Sequence, residues 1–225
     1  MEFGVIGKTP RELDQFFTRP ELASECIQLL TCLLNSGDLT DFDTLLEPAC
    51  GEGAFIYALS RLGHVTTTNV NKSDPLSCEA TKINVIAMDI DAKDEEMRQD
   101  FLQFTYKRQG PCLTIGTPPF GKNGVMAVKF FNKAAEFSKV IAFIVPRSFY
   151  KKTIQDKLDS NFFLVQEYAL PKGSFIKSSI YSSSPASFSV HCVFQVWTRL
   201  DCIDLFYPQV VAHQDKGELG KIRDY

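Results

Sequence analysis

The chain has 225 residues, room for one α/β domain with small additions, and its 44% apolar content, with 19 Phe, can fill a sizeable core. No apolar run is long enough for a membrane span, and the N-terminus lacks the charged-then-apolar pattern of a signal peptide. Seven cysteines without regular spacing read as reduced thiols in an intracellular compartment, cytoplasmic or nuclear, with no membrane and no metal expected. The net charge of −3 does not by itself point to nucleic acid, but its distribution does. Between Gln103 and Lys177 twelve Lys and Arg stand against four Asp and Glu. That excess is either a solvated face or a phosphate-tracking surface drawn from Lys122, Arg147, Lys151, Lys152, Lys172 and Lys177.

Residues 1–14 read as an N-terminal arm. A helical pattern then runs from Glu21 to about Leu34, capped by Thr18 or Arg19, with Pro20 at its first position. Thr44 to Leu46 suit a buried strand, which Pro48 ends because proline cannot donate to a ladder. Gly51 and Gly53 let the backbone turn tightly and approach a ligand, and Ala54 to Leu62 resume at helical spacing. This strand, Gly-x-Gly turn and helix form the first half of a nucleotide-binding unit. The acid stands at the strand end and the full G-x-G-x-x-G is absent, which favours a ligand held by ribose, amino-acid and adenine groups over a pyrophosphate. Residues 64–78 are polar and read as a flexible loop, with His64 on its surface. Lys82 to Met88 read as a second strand ending in Asp89-Ile90-Asp91. Asp89 is placed to accept from ribose hydroxyls and Asp91 to cap a following helix.

A further strand, Pro111 to Gly116, leads into Thr117-Pro118-Pro119-Phe120, where two prolines fix the chain rigidly. Val125 to Phe137 reads as a helix and Lys139 to Val145 as a strongly apolar strand, followed by Pro146-Arg147-Ser148-Phe149. Phe162 to Leu170 and Val190 to Trp197 pair as late strands. Residues 177–189, with seven serines, read as a mobile loop at a substrate mouth or an insertion without a role. Phe175 or Phe188 would stack on a base or belong to the core. Residues 201–225 form a tail without a motif. The alternation of strands and helices argues for a single domain over 1–225, built on an α/β, doubly wound, mostly parallel sheet.

Glu47-Pro48-Ala49-Cys50-Gly51-x-Gly53-x-Phe55 resembles motif I of the class I S-adenosylmethionine (SAM) methyltransferases, most closely that of the gamma-type DNA adenine-N6 enzymes. Phe17-Thr18 before it resembles motif X, although the same residues suit a plain helix cap. Asp100-Phe101-Leu102 resembles motif III, Thr117-Pro118-Pro119-Phe120 motif IV, and Pro146-x-Ser148-Phe149 the motif VI region. The resemblance spans about residues 12–198. It implies a seven-stranded Rossmann-like sheet with a late antiparallel strand. It also implies SAM held by Phe17, Thr18, Glu47, Ala49, Cys50, Gly51, Gly53, Asp89, Ile90, Asp100 and Phe101.

By the same resemblance Thr117, Pro118, Pro119 and Phe120 are the catalytic corner. The Thr117 side chain and the Pro118 carbonyl would accept from the target amine, and Phe120 would stack on the flipped base. Thr117 departs from the pattern, which carries Asn or Asp there. A threonine oxygen can accept, but it lies closer to the backbone and its own proton needs a partner. The implied activity is methylation of adenine N6 in DNA rather than RNA, with a protein partner needed for any long target sequence. Two alternatives stand beside it: a catalytically silent subunit of the same fold that binds a partner or nucleic acid, and a protein amide N-methyltransferase.

Overall fold

The computed structural model describes residues 17–65, 83–107, 110–176, 187–188 (backbone only) and 190–207. The arm at 1–14, most of both loops at 64–78 and 177–189, the tail beyond 207, and Lys177 lie outside the described residues.

Nine strands and four α-helices follow one another in these segments. They are β1 (Phe17–Thr18), α1 (Pro20–Leu33), β2 (Thr44–Glu47), α2 (Ala54–Arg61), β3 (Asn84–Ala87), β4 (Cys112–Gly116), α3 (Val125–Ala135), β5 (Val140–Pro146), α4 (Lys152–Gln155), β6 (Phe162–Ala169), β7 (Phe175–Ile176), β8 (Ser187–Phe188) and β9 (Cys192–Arg199). Strands β2, β4 and β5 are buried almost throughout, as parallel strands covered on both faces must be, and β4 and β5 are mostly apolar. The main sheet has the order β3-β2-β4-β5-β9-β6. β3, β2, β4 and β5 are mutually parallel, and β9 runs antiparallel to both its neighbours. The late antiparallel strand is therefore present.

The core divides between the two faces of this sheet. Leu45, Leu113, Val140, Ala142 and Phe194 pack with α1 and α2 on one face. Leu46, Cys112, Ile141, Phe143 and Trp197 pack with α3 and Phe101 on the other. This follows from the two-residue alternation of side chains along each strand. Pro20 opens α1 as expected. Arg19 holds the capping position without a side-chain cap, because a guanidinium has no acceptor to offer; its Nε donates to the Gly173 carbonyl at 2.8 Å.

Two expectations are corrected here. Six strands, not seven, form the main sheet among the described residues. Beyond β3 the chain makes only an isolated parallel bridge between Asp89 and Arg98. The intervening Asp91-Ala92-Lys93-Asp94-Glu95-Glu96 is too polar for a strand buried on two faces. No helix follows Asp91 either, so it caps none; its backbone N–H instead donates to Asp89 Oδ1 at 2.9 Å, a local turn. Separately, β1, β7 and β8 form a small antiparallel sheet, with Thr18 opposite Phe175.

Candidate functional site

β2 delivers Glu47 to the end of the sheet, where Pro48 stops the ladder and the chain turns through Cys50 to Gly53. Gly51 (φ 53°) and Gly53 (φ 79°) both adopt left-handed conformations that other residues take at a cost. The turn is tied to the neighbouring strand end at two points. Cys50 N–H donates to the Met88 carbonyl at 3.0 Å, and Gly51 N–H donates to Asp89 Oδ2 at 2.8 Å. Asp89 thus braces the glycine turn, and its remaining lone pairs stay available to a ligand's hydroxyl donors. Next to it Ile90 is 60% exposed and offers an apolar surface to a flat ring.

Glu47 is the electrostatic centre of the turn. It is only 3% exposed, and its Oε2 has no hydrogen-bond partner. Burial first, and the Asp89 charge second, push its carboxyl well above the usual carboxylate range, against a lowering by the Ile56 backbone N–H. Burial also raises the Cys50 thiol, with Glu47 and Asp89 adding to the effect. A buried, unpaired carboxyl oxygen is a ligand-directed feature, because a cationic group brought against it would relieve the penalty.

The roof of the cleft comes from far along the chain. The Phe17 ring lies over the turn, where a Cβ on Gly51 would be in van der Waals contact with it at 3.4 Å. Gly116, the last residue of β4, is set more tightly: a Cβ there would press on Glu47 Cγ at 3.3 Å. The next residue, Thr117, places its Oγ1 2.8 Å from Thr18 Oγ1. Phe17, Thr18, Glu47, Ala49, Cys50, Gly51 and Thr117 consequently line one cleft, together with Glu52, Ala54 and Phe55. The last three were not anticipated as lining residues, although each lies in or beside the glycine motif. Gly53 shapes the turn without lining the cleft.

Three expected roles meet a different arrangement. Phe101 is 1% exposed and packs among Phe104, Phe130 and Phe137 beneath the sheet, so it offers no face to an adenine ring. Asp100 accepts from Leu102 N–H at 2.9 Å and caps the 3-10 turn Phe101–Gln103. Phe120 is 7% exposed and meets Phe175 edge to face, with ring centroids 6.1 Å apart. A ring buried in that way has no free face for a flipped base, and the same contact places Phe175 in the core. The Phe188 side chain lies outside the described residues.

Of the basic residues, Lys122, Arg147, Lys151, Lys152 and Lys172 are all exposed. Lys152 is paired with Asp156 at 2.8 Å one helical turn on, so its charge is partly offset. His64 is half-buried, and burial lowers its pKa.

Asp89→Ala removes the bonds to both Gly51 and Asp91. It is expected to weaken binding of the SAM that the motif resemblance implies by about 1–2 kcal/mol, through a loosened turn and lost acceptors. Calorimetric titration with SAM measures this, and unchanged affinity would take Asp89 out of the site.

No family model matches the chain, and no curated protein matches it. Solved structures do. A Pyrococcus horikoshii protein provisionally described as an RNA methyltransferase superposes with a TM-score of 0.56 at 16% identity, over 88% of this chain and 93% of that one. The 23S rRNA methyltransferase ErmE gives a TM-score of 0.45 at 14% identity, over 82% of this chain and 70% of that one. The first of these shows a shared α/β fold with a mostly parallel central sheet.

Proposed function

We propose that this chain is a SAM-dependent methyltransferase acting on the N6 amine of adenine in nucleic acid. One observation carries the reading. Thr117, the first residue of the Thr117-Pro118-Pro119-Phe120 corner, lines one cleft with the glycine turn and Phe17-Thr18, and the Thr18–Thr117 hydrogen bond joins them. The residues of the cleft, with Asp89 and Ile90 at the neighbouring strand end, fit SAM. Glu47 Oε2 is buried and unpaired where a cationic ligand would satisfy it, Asp89 has spare acceptor sites for ribose hydroxyls, and Ile90 is exposed beside them. Glu47, Gly51, Asp89 and Ile90 would hold the cofactor with Phe17 above. Bound there, SAM supplies an electrophilic methyl group on sulfur.

The protein's part is positioning and polarisation. An adenine amine is weakly nucleophilic because its lone pair is delocalised into the ring. Acceptors on its two N–H groups favour the pyramidal geometry in which that lone pair can attack. The Pro118 carbonyl and Thr117 Oγ1 are the acceptors at the corner. Thr18 answers the question of the Thr117 proton: with Thr18 as its acceptor, Thr117 keeps a lone pair for the substrate. Much of the rate would come from orientation, and no general base is needed before attack.

The DNA preference drawn from motif resemblance gives way to an open comparison, since the superposing Pyrococcus horikoshii protein is described as an RNA enzyme. A catalytically silent subunit is the second reading, favoured by the threonine at the amine-holding position and by the burial of Phe120. Transfer of labelled methyl from SAM to single-stranded RNA, single-stranded DNA, duplex DNA and protein, measured side by side, tests both. Label on nucleic acid at adenine N6 supports the first reading. SAM binding with no transfer to any acceptor supports the second, and label on protein alone overturns both.

A further inference from the structure

The turns that follow β4 and β5 lie side by side at the C-terminal end of the parallel strands, in the middle of the sheet. β4 and β5 are parallel neighbours, with Gly116 opposite Phe143, so the chain leaving through Thr117 and the chain leaving through Pro146 emerge together. The turns also touch. A Cβ on Gly124 would come within 3.3 Å of the Phe149 ring and 3.4 Å of Ser148 Oγ. That contact sets Lys122 and Asn123 beside the 3-10 turn Arg147–Tyr150.

This corner carries both charge and an aromatic face. Tyr150 is 37% exposed, and the Arg147 guanidinium lies 5.8 Å from its ring centroid. Lys122 and Lys151 flank the pair, both exposed, and neither is in an ion pair among the described residues. The nearby acids are largely engaged. Asp156 pairs with Lys152, and Glu167, which acts on Tyr150 from β6, accepts from Gln195 Nε2 at 2.7 Å.

We propose that Tyr150 and Arg147, flanked by Lys122 and Lys151, form a stacking platform for single-stranded polynucleotide, holding the nucleotide next to the one presented to Thr117. The inference rests on the nucleic-acid reading above and narrows it to unpaired strands. An exposed aromatic ring with a guanidinium over it stacks any base, because every base has a π face. The two lysines supply backbone phosphate contacts. In a duplex the base faces are already stacked on each other, so the platform has nothing to bind until the strand opens.

A second arginine–tyrosine pair provides an internal control. Arg61 lies 5.9 Å from the ring centroid of Tyr57, which is well exposed on α2. α2 follows β2, and β4 lies between β2 and β5 in the sheet, so this pair is not on the corner formed by the turns after β4 and β5. The pair chemistry is the same, but the location is different.

The test is fluorescence anisotropy of the full chain with labelled oligoadenylates of about twelve nucleotides, as RNA and as DNA, and with a duplex of equal length. Tyr150→Ala is expected to lower single-strand affinity about tenfold, Tyr150→Phe to keep it, and Tyr57→Ala to leave it unchanged. Lys122→Ala and Lys151→Ala are each expected to reduce the slope of log affinity against log salt by about 0.7. A thermal melt of Tyr150→Ala matching the wild type assigns the loss to the contact, while Arg147→Ala gives an independent variant should the melt shift. The RNA and DNA arms rank the two kinds of strand. If the wild type binds strands and Tyr150→Ala matches it, or Tyr57→Ala falls equally, the platform is overturned alone. Duplex binding as tight as single-strand binding also overturns it. If the wild type binds no polynucleotide while still binding SAM, the platform and the nucleic-acid substrate fall together.

Discussion

Thr117→Asn is expected to raise kcat for adenine methylation at least tenfold, with little change in SAM affinity. A side-chain carboxamide carries a donor and an acceptor on the same group. Its NH2 can donate to Thr18 Oγ1, the hydroxyl that Thr117 engages at 2.8 Å, which leaves the carbonyl for the substrate amine. Threonine has one oxygen for both tasks, and that oxygen sits nearer the backbone. One well-placed acceptor is worth about 3 kcal/mol in the transition state, or roughly a hundredfold in rate. Because Pro118 remains, the wild type is expected to be slow rather than inert. Adding Thr18→Val to the Asn variant should reverse most of the gain while the carboxamide is still present. Single-turnover methylation assays, with SAM affinity measured separately, read both effects. An Asn variant that stays silent on every RNA and DNA while binding SAM would favour the silent subunit. A fast wild type that Asn slows would mean that Thr117 serves a different acceptor geometry.

The second large effect is expected at Glu47. Its folded-state pKa is raised above the unfolded value, so the stability it contributes is fully present below the unfolded pKa. That contribution is lost as pH rises through the raised folded pKa. Glu47→Gln keeps the shape of the protonated form and cannot ionise. The ligand-free variant should therefore hold its melting temperature as pH rises above the ordinary carboxylate range, where the wild type declines. Ligand binding should respond in the opposite way. A cationic cofactor group against Glu47 favours the carboxylate, so wild-type SAM affinity should strengthen with pH and binding should release a proton. Gln loses that charge and should weaken SAM by about 3 kcal/mol, with a flat pH profile. Melting curves and calorimetry in buffers of different ionisation enthalpy check both halves. A variant that is no more stable at high pH and binds SAM as well as the wild type would remove Glu47 from this role.

What could be read from the sequence was whatever is encoded locally. Pro48, Gly51 and Gly53 announce the β2 turn because each has a backbone requirement of its own. The apolar run into Thr117-Pro118-Pro119 marks the end of β4 in the same way. The Thr18–Thr117 hydrogen bond joins residues 99 positions apart, and no local signal proposes it. The pairing of β1 with β7 spans the chain from Phe17 to Ile176 and rests on strands of two residues each, too short to show alternation. Short motifs point Phe101 and Phe120 to ligand contacts. Whether a phenylalanine faces a cleft or a core depends on what packs above it, and here Phe130, Phe137 and Phe175 fill those places. Asp91 had the composition of a cap, but the residues after it form turns closed by an isolated bridge.

The placement of the thiols makes the cofactor turn chemically self-reporting. Among the described residues Cys32 alone is exposed, while Cys26, Cys50, Cys112, Cys192 and Cys202 are buried. Burial holds the Cys192 thiol up at about 12 and the Cys202 thiol at about 11, so both stay protonated at neutral pH. Cys50 is doubly protected, by burial and by the carboxyl groups of Glu47 and Asp89 beside it. An alkylating reagent should modify Cys32 at once and Cys50 only when the β2–α2 turn lets go of Met88 and Asp89. In a Cys32→Ser, Cys78→Ser background, the rate of adduct formation at Cys50 would count openings of the cofactor cradle one by one. Mass spectrometry of that adduct should show it slowing as SAM is added, a binding assay that needs neither turnover nor a known substrate.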